Sequence, residues 1–93
     1  MAAFRFAVDV MPRDGILDPQ GRAVEAALPR LGATSVHEVR VGRRIELTVE
    51  AESEGEASEV VHRLAGEFLA NPLIESWVIE SLASTPAGVG VPA

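Results

Sequence analysis

The chain has 93 residues, enough for one domain and too few for a second core. Its 47% hydrophobic and 24% charged residues are those of a folded protein. A formal net charge of −6, no lysine and no cysteine exclude phosphate-driven nucleic-acid binding, Schiff-base and P-loop lysine chemistry, disulfides and thiolate metal sites.

Phe4, Phe6, Val8 and Val10 alternate with Arg5, Ala7 and Asp9, the period of two of a half-buried strand. Gly15 then allows a backbone reversal. Asp18 is placed to accept from the free N–H groups of a helix whose first position suits Pro19. Gly21 is out of character there, about 1 kcal/mol worse than alanine in a helix interior, and points to a close contact or a special backbone geometry. Ala23, Val24, Ala27, Leu28 and Leu31 form one apolar face, Pro29 predicts a distorted last turn, and Gly32 a stop.

Val36 to Val41 and Arg44 to Ala51 are expected as two strands joined by a two-residue turn at Gly42-Arg43. Ser53 and Glu56 match a capping box. Ala57, Val60, Val61, Leu64, Ala65, Phe68 and Leu69 follow at helical spacing, and Asn71-Pro72 ends that helix. Ile74 to Leu82 supplies a last strand with Trp77 and Ile79. The order β-α-β-β-α-β predicts an α+β, ferredoxin-like sandwich: a four-stranded antiparallel sheet with two helices on one face. The first strand and Arg44 to Ala51 are expected at its centre. One core should combine Phe6, Val8, Leu28, Leu47, Val49, Ala57, Val60, Val61, Leu64 and Phe68. Residues 1–82 form the expected domain, with 83–93 a disordered Pro-, Gly- and Ala-rich tail.

Chemistry is sparse. His37 and His62 share no metal-binding spacing, and the acidic set Glu50, Glu52, Glu54, Glu56 and Glu59 lacks the calcium-loop pattern. No serine stands at a motif-defined distance from a histidine, so no active site is expected in this chain. Arg40, Arg43 and Arg44 around Gly42 are either a partner contact or a solvated turn paired with Glu38 and Glu46. Trp77 is expected in the core or as an anchor at a subunit contact. The small size, which hides only about 60–65% of the unfolded surface, favours a homodimer or a dimer of dimers. No signal peptide and no apolar run near the ~20 residues of a membrane span are recognisable, and a cytoplasmic location is expected.

Five blocks bear a family resemblance: Pro12 to Val24, Leu28-Pro29-Arg30-Leu31-Gly32, Val39-Arg40-Val41-Gly42-Arg43, Ile45-Glu46-Leu47, and Leu69-Ala70-Asn71-Pro72-Leu73-Ile74-Glu75. In this order they resemble the PurS family, small accessory subunits of phosphoribosylformylglycinamidine (FGAM) synthase. The resemblance implies a non-catalytic chain that bridges a PurL-like synthetase and a PurQ-like glutaminase. It also implies support of ammonia transfer in the ATP- and glutamine-dependent conversion of FGAR to FGAM in purine biosynthesis. ATP and Mg would belong to the PurL-like partner, with no cofactor in this chain. An ACT-like amino-acid-binding module shares the element order and is the alternative; an acylphosphatase-like enzyme would need more glycines after the first strand. Candidate interface residues are Asp14, Gly15, Asp18, Gln20, Arg40, Gly42, Arg43, Arg44, Asn71 and Trp77.

Overall fold

A computed structural model describes residues 1–82; the expectation of a disordered tail lies outside them. Strand β1 (Ala2–Pro12) forms as predicted and buries Phe6, Val8 and Val10, but Ala7, expected on the other face, is fully buried as well. Helix α1 (Pro19–Ala27) starts on the Asp18 cap and passes at Leu28 into a 3-10 turn, Leu28–Leu31. Pro29 has no N–H to extend an α-helical ladder, and Gly32, at φ 83°, closes the turn. Strand β2 (Arg43–Ala51), helix α2 (Glu54–Leu64) and strand β3 (Glu75–Leu82) complete the order. Ser53 Oγ accepts from the Glu56 N–H, and Glu56 reaches back to the N–H of Glu52, one residue before the cap.

Among the described residues the sheet has three strands, not four, in the order β2-β1-β3, with both pairings antiparallel. β1 is central as expected, whereas β2 lies at an edge. The missing strand is Val36 to Val41, which is irregular. Its amides are taken elsewhere: Glu25 of α1 accepts from the Val39 N–H at 3.0 Å, and Asp18 from the Val41 N–H at 2.9 Å. Glu38 adopts φ 56°, a left-handed conformation that breaks a regular strand. The segment is thus tied to α1 by side-chain carboxylates. Gly42 makes no two-residue hairpin turn. It lies so close to the Val10 carbonyl and Met11 Sδ that a Cβ would strike both.

The expectation of two helices on one face also needs correction. The core joins Phe6, Val8 and Val10 to Ala51 and to Ala57, Val61 and Ala65 below α2. α1 adds nothing to it: Val24 and Leu31 are 43% and 79% exposed, and Leu28 is outside the cluster. Val60 and Leu64, expected inside, are only half-buried and belong neither to the core cluster nor to the residues packed against it. Phe68, expected inside, is 81% exposed. The cause is a π-helical turn, Ala65–Leu69, in which the Ala70 N–H donates to the Ala65 carbonyl. One extra residue in a turn moves the following side chains off the α-helical phase, so Phe68 swings to solvent while Leu69 packs against the core. Trp77 pairs with Val10 and its indole lies beside Gly66, at a distance where an added Cβ would make ordinary contact.

Candidate functional site

The loop after β1, the segment before β2 and the turn before β3 meet at one end of the sheet. Gly15, at φ 82°, reverses the chain there. The Arg13 N–H donates to the Ile74 carbonyl at 2.8 Å, and its Nε to the Pro72 carbonyl at 3.0 Å. Asp18 Oδ1 accepts from the Gly21 N–H at 3.1 Å while Oδ2 holds Val41. Gly21 is the buried residue of α1, where a Cβ would strike the Asp18 carboxylate and the Val39 carbonyl. Its presence therefore has a packing cause, as its poor helix propensity indicated.

Arg43 forms the second fastening. Its guanidinium donates to both Glu75 carboxylate oxygens, at 2.6 and 3.1 Å, and to the Leu69 carbonyl at 2.6 Å. Glu75 Oε1 also accepts from the Asn71 N–H at 2.7 Å, and the Asn71 side chain caps the Leu73 N–H. Fork-to-fork pairing fixes orientation as well as distance, so β2, the end of the π turn and the start of β3 are locked together. Between the two fastenings is a cavity of about 190 Å³. It is lined by Pro12, Ile16, Leu17, Val41, Gly42 and Ile74 together with the polar Asp18, Gln20, Arg43 and Glu75.

The Asp18 carboxyl is held below its ordinary value of 3.8, first by the Val41 amide and then by Gly21. The Arg43 hydrogen bond, then the Asn71 amide, hold the Glu75 carboxyl below 4.5. Both values are lowered in the fold, so both contributions are complete above the ordinary values and vanish as pH falls through the lowered ones. The Val41 and Asn71 amide resonances are expected to titrate with midpoints below 3.8 and 4.5 respectively. Midpoints above those values would contradict the hydrogen-bonded geometry.

Seven of the ten predicted interface residues, Asp14, Gly15, Asp18, Gln20, Gly42, Arg43 and Asn71, lie at this end or in the loops that build it. Arg40 joins them, 3.4 Å from Asp14. The other two lie apart. Trp77 is half-buried against the core. Arg44 is on the open sheet face among Asp9, Glu46 and Glu80, at 3.2, 3.1 and 3.6 Å. The three arginines expected to cluster are therefore divided among three sets of acids. Glu25, Ile74 and Glu75 were not singled out in the sequence, whereas Pro12, Arg13, Ile16 and Leu17 lie in the loop from Pro12 to Gly21 that was expected to meet a partner. Glu75 stood in the last resemblance block, but nothing in sequence spacing joins it to Arg43. Among the described residues no group of three or more His, Asp or Glu is placed to hold a metal ion.

The chain matches the family model for PurS, phosphoribosylformylglycinamidine (FGAM) synthase, over residues 5–83. It belongs to the PurS family. The PurS subunit of FGAM synthase from Thermotoga maritima is 37% identical over 82 residues, covering 88% of this chain and 100% of the relative. The Mycobacterium leprae PurS subunit is 47% identical over 75 residues, 81% of this chain and 91% of that one. Among solved structures, a chain in the structure of PurLQS from Thermotoga maritima superposes with a TM-score of 0.79 at 36% identity, covering 88% of this chain and all of that one. Bacillus subtilis PurS gives 0.75 at 34% identity, over 86% and 99% of the two chains. These likenesses span the domain and do not favour the ACT-like alternative. Like its relatives, the chain is a PurS subunit of FGAM synthase.

Proposed function

We propose that this PurS-family chain is a non-catalytic accessory subunit that joins a PurL-like synthetase to a PurQ-like glutaminase. In that role it supports delivery of ammonia from one to the other during ATP- and glutamine-dependent conversion of FGAR to FGAM. The observation that carries this reading is the likeness, along the whole length of the matched chain, to a component of the Thermotoga maritima PurLQS structure. The local chemistry agrees with it: at the built end, Asp18, Arg43 and Glu75 are engaged in holding loops together. ATP and Mg are assigned to the synthetase, and the complex to the cytoplasm. No helix among the described residues is long and apolar enough to cross a membrane.

Self-association into a homodimer or a dimer of dimers belongs to the same proposal. It is supported by the exposed Val24 and Leu31 of the α1 region and by β2, whose outer edge has no partner strand among the described residues. The reading is tested by adding the purified chain to the PurL-like and PurQ-like subunits of its own organism. The expected result is a three-component complex with glutamine-dependent FGAM formation. Absence of both would overturn the proposal.

A further inference from the structure

We propose that the apolar side of α1 and its 3-10 turn seats on the sheet of a second copy of this chain, over Ile45, Leu47 and Val49 of β2, in a reciprocal two-fold exchange. The inference deepens the self-association part of the functional reading by naming the two surfaces that meet.

The path of α2 leaves the seat open. The helix departs from the end of β2 at the buried Ala51 and crosses toward β3. Glu54, in its first turn, accepts from the Ser81 hydroxyl of β3 at 2.9 Å, and Gly66, beyond its last turn, lies against the Trp77 indole of β3. Both ends of the helical segment are thus moored on the β3 side. Ile45, Leu47 and Val49 stand opposite Val8, Phe6 and Phe4 on the core face, but on the far flank. Phe6 and Val8 are buried, whereas all three β2 residues stay half-buried. Among the described residues no second helix joins the core over that strip.

A helix suited to complete the layer is present and unseated. Val24, Ala27, Leu28 and Leu31 follow at i, i+3, i+4 and i+7, and Val24 and Leu31 are exposed. The chain's own sheet is closed to them. Asp18 and Glu25 hold the Val41 and Val39 amides, and Gly21 packs on the Val39 carbonyl, so α1 is bound to the segment that leads into β2. Ile45 to Val49 is about 13 Å long at the rise of a strand, and Val24 to Leu31 is about 11 Å at the rise of a helix. A second copy carries the same unseated helix and the same open strip. One two-fold axis therefore covers both strips at once and closes the pair.

The chain has no cysteine, so introduced thiols report only on each other. A Leu31→Cys chain is mixed with a Leu47→Cys chain of different mass and mildly oxidised. The expected product is a disulfide between the two chains, formed roughly tenfold or more faster than between Leu31→Cys and the exposed Phe68→Cys. Val24→Glu and Leu31→Glu, at exposed positions, are expected to lower the sedimenting mass of the free chain by half or more, with circular dichroism unchanged. Phe68→Glu should keep the wild-type mass. Equal cross-linking at Leu47 and Phe68, wild-type mass in both α1 variants, or closure of the disulfide within one doubly substituted chain would overturn the proposal. A monomeric wild type would overturn it together with self-association. The test uses the free chain alone, so its failure is distinct from failure of the accessory role, which the three-component reconstitution reads.

Discussion

Phe6→Ala is expected to cost about 3–5 kcal/mol of folding stability, the range for emptying a buried aromatic site. Phe6 is 2% exposed, stands on the central strand, and belongs to the core cluster with Val61 and Ala65. A domain of this length has about 5–14 kcal/mol in all, so the substitution removes a large share. Urea denaturation followed by circular dichroism gives the number at fixed protein concentration. Phe68→Ala is the informative comparison, since it deletes the same atoms from a side chain 81% exposed. It should change the stability of the free chain by no more than about 0.5 kcal/mol. Equal losses at the two positions would mean that α2 continues unbroken and that the π turn is absent.

Gly21→Ala should reverse the usual sign of its substitution. In an ordinary helix interior, alanine gains about 1 kcal/mol over glycine. Here the new Cβ meets the Asp18 carboxylate and the Val39 carbonyl, so either the cap or the tethered segment must move. Overpacking of this kind costs about 1–3 kcal/mol. Hydrogen exchange should report it locally, as faster exchange of the Val41 amide that Asp18 holds. A stabilised Gly21→Ala chain with unchanged Val41 protection would contradict the close approach.

These two substitutions mark what local sequence could and could not reveal. The strand from Phe4 to Val10, the Asp18 and Ser53 caps and the Pro29 distortion follow from period and propensity and are present, whereas of the two strands expected at the centre only the first is there. The fourth strand failed because alternation in Val36 to Val41 says nothing about where its amides find acceptors. Glu25 and Asp18, 14 and 23 residues earlier than their partners, supply them. Phe68 failed because helical spacing assumes an unbroken α-helix, and one π turn shifts every later residue. At the site, Gly21 was legible as an oddity of helix propensity, whereas Gly42, expected in a hairpin turn, is required instead by its close approach to Val10 and Met11. The Arg43–Glu75 lock, 32 residues apart, arises only when β2 and β3 flank the same strand.

The lock also alters how charge reversal at the arginines must be read. Arg43→Glu would oppose Glu75, and Arg44→Glu would face Asp9, Glu46 and Glu80, so both disturb the free fold. Arg40, paired with the exposed Asp14, is the arginine of the three whose reversal probes partner contact alone.

The accessory role is tested most directly by comparing nitrogen donors in a reconstituted synthase. FGAM formation by the PurL-like and PurQ-like subunits is measured with and without this chain, first with glutamine and then with a high concentration of free ammonia. A subunit that couples two active sites raises the glutamine-dependent rate strongly and the ammonia-dependent rate little, because free ammonia reaches the synthetase without delivery. Equal glutamine-dependent rates in the presence and absence of the chain would contradict the account.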